Sequence, residues 1–253
     1  MSPQRVDTAP VPRSYAVALR TLAFRQKSAK GAPAYSRFVN RRLGRLLAAL
    51  AYVAGLTPNQ VTAISACFTF TGIGLIALAA PTPPVGLCVA LALVVGYAFD
   101  SADGQLARLR GGGSTAGEWL DHMVDAVKIS SLHLAVLVSW YRFPPVEGAA
   151  WLLVPVGFTV VAAVLFFGMI LNDQLRRLHH ARRGTTPVEP ARPSVIRSLL
   201  VVPTDYGLLC LAFALLGFAE AFAVLYGLLF AGNLLFLLAA AVKWYRDIAS
   251  LDA

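Results

Sequence analysis

Charge is scarce in this chain. Asp and Glu together number 13 among 253 residues, and charged residues of both signs make up only 14%. With 57% hydrophobic residues and a mean hydropathy of +0.65, that scarcity excludes a soluble domain and points to a polytopic membrane protein. Cysteine is nearly absent. Cys67, Cys88 and Cys210 lie singly in apolar runs and read as small core residues, with no disulfide framework and no zinc spacing. The four histidines, His122, His133, His179 and His180, form no metal motif. His133, inside an apolar run, reads as a satisfied packing residue. No internal repeat, heptad or low-complexity tract is evident. The Gly111–Gly113 run is not a phosphate-binding loop of the Walker type, because no GK[ST] follows it. The first apolar core comes too late for a secretory signal and lacks a cleavage context. The net charge of +9 raises nucleic acid as a partner, but the basic residues border apolar runs. That distribution reads as membrane topology and attraction to anionic headgroups, with no nucleic-acid partner.

What is present is a set of long apolar runs. Six spans are expected, near 58–80, 84–109, 117–141, 148–176, 203–218 and 221–244, the fifth short enough that it could begin near Ser198. The fold class is therefore all-α, a polytopic membrane bundle of six transmembrane helices preceded by an interfacial amphipathic helix over about 35–55. Arg37, Arg41, Arg42 and Arg45 open that segment, and its uncharged part is too short to cross a bilayer. Residues 1–34, rich in proline and charge, are expected to be largely disordered apart from a short amphipathic helix over 14–27; the membrane domain then covers 35–253. The basic residues of the 108–110 loop, the 176–197 loop and the C-terminal tail fall on the side of the N-terminus, and Arg142 alone on the other. Such asymmetry puts both termini on the cytoplasmic side of a plasma or inner membrane.

Against this apolar background four acids stand together. Asp100, Asp103, Gly104, Ala107 and Arg108 share one helical face, and Gly117, Asp121 and Asp125 share a face of the following segment. Gly111, Gly112 and Gly113 break the helix between them and let the chain reverse. A helix hairpin of this kind aims four carboxylates at each other on the cytoplasmic side. Crowded carboxylates repel and charge near lipid is costly, so the pattern is tolerable when a cation sits among them. Hard oxygen ligands suit Mg²⁺, Mn²⁺ or Ca²⁺, and two such ions can grip phosphate oxygens. Lys128 lies one turn deeper than Asp125. An unpaired charge there costs about 2.5–3.5 kcal/mol on insertion scales, so it is expected to face the polar cavity. Arg176 and Arg177, with Arg182 and Arg183 beyond, are either an anion site for an acceptor phosphate or topological anchors. Asp205 or Thr204 reads as a helix N-cap.

The pattern D-x2-D-G-x2-A-R-x8-G-x3-D-x3-D, met here at all eight fixed positions, resembles the signature of the CDP-alcohol phosphotransferases (CDP-alcohol phosphatidyltransferases). The stretch from Leu56 to Thr62 is similar to the family's lead-in to its first span. The resemblance implies a transferase of phospholipid biosynthesis. It would move a phosphatidyl group from CDP-diacylglycerol to the hydroxyl of a polyol or polyol phosphate, such as inositol phosphate or glycerol phosphate, and release CMP. It implies Mg²⁺ or Mn²⁺ as cofactor, as two ions held by Asp100, Asp103, Asp121 and Asp125, with Asp125 as general base. Gly104, Ala107, Arg108 and Gly117 would contact the nucleotide; Lys128, Arg176 and Arg177 lie outside the signature and are candidates for the acceptor on their charge alone. Homodimerisation follows from the resemblance alone. Members acting on glycerol phosphate usually carry a lysine directly after the last aspartate, where this chain has Ala126, and members acting on inositol phosphate have a differently spaced arginine set in the loop of Arg176 and Arg177, so the acceptor stays open. A soluble CDP-polyol donor with the same chemistry is an alternative. A cation transporter is another, against which stand the lack of an inverted repeat and the clustering of all four acids at one face.

Overall fold

A proline following a threonine starts a helix well, because the ring pre-sets φ and the missing N–H would have no helical partner. Thr57 and Pro58 do this for the first long helix. The Thr57 hydroxyl accepts from the Gln60 N–H, and the Gln60 side chain accepts from the Thr57 N–H at 2.8 Å, a complete capping box. The computed structural model describes residues 12–24, 33–185 and 202–251, and the elements within them are helical: α1 (Tyr15–Phe24), a π-helical turn (Ser36–Asn40), α2 (Arg41–Val53), α3 (Pro58–Leu78), α4 (Pro83–Leu109), α5 (Thr115–Arg142), α6 (Leu153–Arg183), α7 (Tyr206–Ala212) and α8 (Ala219–Ala249). Helices α3, α4, α5, α6 (with the 3-10 turn before it) and α8 are each long and apolar enough to cross a membrane. The protein is an all-α membrane bundle, as its apolar runs imply.

The fifth expected span looks different. Its described part is a 3-10 turn (Val202–Thr204) and the apolar stretch Tyr206–Leu215. Ten residues rise about 15 Å, half of a hydrocarbon core of about 30 Å. The residues near Ser198 from which that span could begin lie outside the described ones. In the N-terminal segment, α1 is the short helix anticipated over 14–27, and its Ala18 and Leu22 are fully buried against α2 and α4. Helix α2, within the segment read as interfacial, is too short to cross a bilayer. Gly44, Ala48 and Ala51 pack inward, while Leu43, Leu46, Leu50 and Val53 are exposed.

In lipid, helix contacts come from close packing of small residues more than from water exclusion. The chain obeys this. On Gly96 of α4 a Cβ would lie 2.2 Å from the Thr69 hydroxyl of α3, and the Ser65 hydroxyl donates to the Gly96 carbonyl at 2.8 Å. Gly44 of α2 meets Ser101 of α4 in the same way. Two apolar clusters result. One joins α3 to α8 through Leu93, Leu132, Trp140, Phe158, Phe213 and Tyr226; the other joins α1, α2, α3 and α4 through Leu22, Ala48, Val61 and Leu106. His133 is a packing residue, as expected. Its Nδ1 lies 2.6 Å from the Tyr226 hydroxyl and its ring stacks on Phe158. The cysteines depart from expectation: Cys210 is buried, but Cys67 and Cys88 sit on outward faces, where an apolar environment tolerates a thiol as well as the core does. At the C-terminal end of α5, Arg142 donates to the carbonyls of Ala77 and Leu78 and so satisfies the C-terminus of α3.

Candidate active site

The glycine run between α4 and α5 makes the turn that creates the site. Gly111 (φ +97°) and Gly112 (φ +137°) occupy conformations that side chains disfavour, and the Gly112 N–H closes on the Ala107 carbonyl at 2.9 Å. Ser114 then starts α5, its hydroxyl accepting from the Gly117 N–H at 3.0 Å. The reversal sets the C-terminal turns of α4 beside the first turns of α5. Gly117 is where α5 comes close to α3: a Cβ there would lie 3.0 Å from the Asn59 side-chain oxygen.

The carboxylates meet as the spacing implies, with one distinction. Asp100, Asp121 and Asp125 bring ligand oxygens within 4.8 Å of one another. All three are half-buried, and a hard divalent cation fits such an oxygen set. Asp103 is held separately and more rigidly. It is buried, the Thr62 hydroxyl of α3 donates to its Oδ2 at 2.6 Å, and the Gly104 N–H donates to its Oδ1. Asp103 and Asp121 line a cavity of about 820 Å³, together with Gly104, Ala107, Arg108 and Gly117. At Gly104 a Cβ would meet only the Arg108 guanidinium, at 3.5 Å, so protein packing does not demand a glycine there. Its bare backbone instead widens the cavity wall.

The three basic residues assigned to an acceptor part company. Lys128 does not line the cavity. It is buried below it, with Nζ 3.0 Å from Asp100 Oδ1, a second ion pair to Asp125, and the Tyr206 ring 5.4 Å away. Arg177 does line the cavity, bridging Glu118 of α5 (3.0 Å) and Asp173 of α6 (2.7 Å). Arg176, its neighbour, turns away to pair with Asp247 of α8 at 2.7 Å. Asp205 is the N-cap of α7, accepting from the Gly207 N–H at 3.1 Å; its other oxygen accepts from the Tyr35 N–H at 2.6 Å. Thr62 and Glu118 escaped the reading of the sequence as site residues. For Thr62 a signal existed, since it closes the Leu56–Thr62 stretch.

The profile of the CDP-alcohol phosphatidyltransferase family matches residues 55–245. The chain is 35% identical over 114 residues to a phosphatidylinositol phosphate synthase of Corynebacterium glutamicum, covering 43% of this chain and 49% of that protein. It is 28% identical over 153 residues to a CDP-diacylglycerol–serine O-phosphatidyltransferase of Mycobacterium leprae, covering 60% of this chain and 49% of that protein. The chain thus spans about half the length of these curated relatives. A crystal structure of Mycobacterium tuberculosis phosphatidylinositol phosphate synthase, in complex with manganese and citrate, aligns with a TM-score of 0.46 at 18% identity, over 82% of this chain and 89% of that one. With the family profile spanning most of its length and the signature residues gathered at one end of its bundle, the chain belongs to the CDP-alcohol phosphatidyltransferase family.

Proposed function

We propose that this protein transfers a phosphatidyl group from CDP-diacylglycerol to the hydroxyl of an alcohol acceptor, a polyol or polyol phosphate such as inositol phosphate or glycerol phosphate, with release of CMP. One observation carries the reading: three carboxylates with oxygens within 4.8 Å, one of which, Asp121, lines a cavity of about 820 Å³ whose wall also holds Asp103, Gly104, Ala107, Arg108 and Gly117. Two Mg²⁺ or Mn²⁺ ions, bound by Asp100, Asp103, Asp121 and Asp125, would neutralise the diphosphate and lower the acceptor hydroxyl's pKa. Asp103, clamped by Thr62, keeps a ligand oxygen in a fixed place. Gly104, Ala107 and Gly117 give the nucleotide a close approach to backbone, and Arg108 pairs with its phosphates. Asp125 accepts the proton of the acceptor hydroxyl as the new oxygen–phosphorus bond forms and the bond to CMP breaks. Arg177, at the cavity rim, is the residue through which an acceptor phosphate would be held, in exchange for Glu118 or Asp173.

The same reading assigns residues 35–253 to one catalytic domain, supported by the bond from the Tyr35 N–H to Asp205. Its active end and both termini face the cytoplasm, supported by the basic residues of α2, the α4–α5 turn and α6. Termini on one side need an even number of crossings, so the fifth expected span, near 203–218, would supply the sixth crossing. The partners are the CDP-linked donor, the acceptor, the bilayer and, on family likeness alone, a second copy of the chain. The test is CMP release by purified protein in detergent with Mn²⁺, CDP-diacylglycerol and, in turn, inositol phosphate, glycerol phosphate, inositol and serine. Acceptor-dependent CMP release is expected. Release only from a soluble CDP-polyol would move the donor assignment, and cation movement in vesicles without CMP release would overturn the reading.

A further inference from the structure

A buried lysine in a membrane helix demands an explanation, and Lys128 has an unusual set of neighbours. Its side chain is 7% exposed, against 22% for Asp100 and 21% for Asp125, so the lysine is more fully enclosed than the carboxylates it pairs with. Three elements converge on it: Asp100 from α4 at 3.0 Å, Asp125 from its own helix one turn back, and the Tyr206 ring from α7 at 5.4 Å. It is absent from the cavity wall, as are Asp100 and Asp125, the two carboxylates it pairs with. Asp100 and Asp125 belong to the three-carboxylate set, so the lysine charge is built into the same group of oxygens that fits a divalent cation.

We infer that Lys128 is a resident counter-cation of the carboxylate cluster, a positioning residue that holds Asp100 and Asp125 together without a metal and weakens the cluster's grip on divalent ions. The inference rests on the metal reading given above. Carboxylates brought within a few ångströms in a half-buried site repel, and an ammonium bonded to two of them offsets that repulsion in the metal-free protein. The same fixed positive charge, beside the ion site, opposes an incoming cation. Removing it therefore raises the energy of the metal-free state and improves the bound one, and both changes increase the response to metal. Tyr206 supports the ammonium from below through its ring face.

The experiment compares full-length wild type, Lys128→Met and the double variant Asp100→Asn/Lys128→Met in detergent. Tm is measured in EDTA and in Mn²⁺, and Mn²⁺ affinity by electron paramagnetic resonance. Lys128→Met, close in volume and uncharged, is expected to lose at least about 4 °C in EDTA. It should recover that loss in Mn²⁺ and bind Mn²⁺ about tenfold more tightly. The double variant, which removes one charge of each sign, should regain EDTA stability. In turnover, Lys128→Met should lower kcat while leaving the donor KM nearly unchanged, and Lys128→Arg should restore part of kcat. Wild-type values for both Tm in EDTA and Mn²⁺ affinity in Lys128→Met would overturn the inference. If Lys128→Met does not fold at all, recovery of folding in the double variant supports the charge argument, and failure of both overturns it. A wild-type protein that binds no Mn²⁺ would overturn the metal reading, and the inference would fall with it.

Discussion

Replacing Thr62 by valine removes one hydroxyl and keeps the volume, so its effect isolates one hydrogen bond. That hydroxyl has a single proton and two acceptors within reach, Asp103 Oδ2 at 2.6 Å and the Pro58 carbonyl at 3.2 Å. The shorter contact, to a carboxylate, takes the proton. Both residues are buried, and valine offers no donor in the hydroxyl's place. A hydrogen bond to a charged group contributes about 1.5–3 kcal/mol, and most of that would be lost from the aim of Asp103. Thr62→Val should therefore lower kcat/KM for CMP release about 10- to 100-fold. Thr62→Ser, which keeps the hydroxyl, should stay within a few-fold of wild type. The assay is initial-rate CMP release across a Mn²⁺ series, with Tm measured on the same samples to confirm folding. Turnover of Thr62→Val within twofold of wild type at low Mn²⁺ would refute the view that this bond positions a working carboxylate.

Other expectations follow from the same geometry. Arg177→Ala should raise the acceptor KM severalfold if the acceptor carries phosphate. Arg176→Ala, which breaks only a partly exposed pair with Asp247, should leave KM unchanged and lower Tm by no more than about 4 °C. An acceptor titration with both variants separates the two roles. Gly104→Leu should weaken donor binding with little change in Tm, because the cavity receives the side chain. Gly96→Ala should lower Tm, because its Cβ would fall 2.2 Å from the Thr69 hydroxyl. Donor KM and thermal melts, read side by side, distinguish these.

The signature was legible because a helix repeats every 3.6 residues, so Asp100 and Asp103, and Asp121 and Asp125, had to share faces once helices formed. The Gly111–Gly113 break told where the hairpin turns. What the spacing could not tell was depth. Lys128 was legible as a charge in a span, but whether it reached toward the cavity or sank toward α7 depended on Tyr206, 78 positions later in the chain. Arg176 and Arg177 read alike in sequence, yet adjacent helical residues point about 100° apart, and one met α8 while the other met α5. Thr62 paired with a residue 41 positions away, which no local pattern encodes. The stretch near 203–218 read as a span from its apolar content; the 3-10 turns at Val202–Thr204 and Phe213–Leu215 leave only a short helix between them.

The central claim is that the carboxylates on α4 and α5 bind the divalent ions on which CMP release depends. It is tested most directly by measuring Mn²⁺ binding and CMP release on the same preparations of wild type and Asp121→Asn. The account predicts that wild type loses CMP release in EDTA and regains it with Mn²⁺, while Asp121→Asn stays folded but loses both Mn²⁺ binding and turnover. Near-normal CMP release by Asp121→Asn, or by wild type stripped of metal, would contradict it.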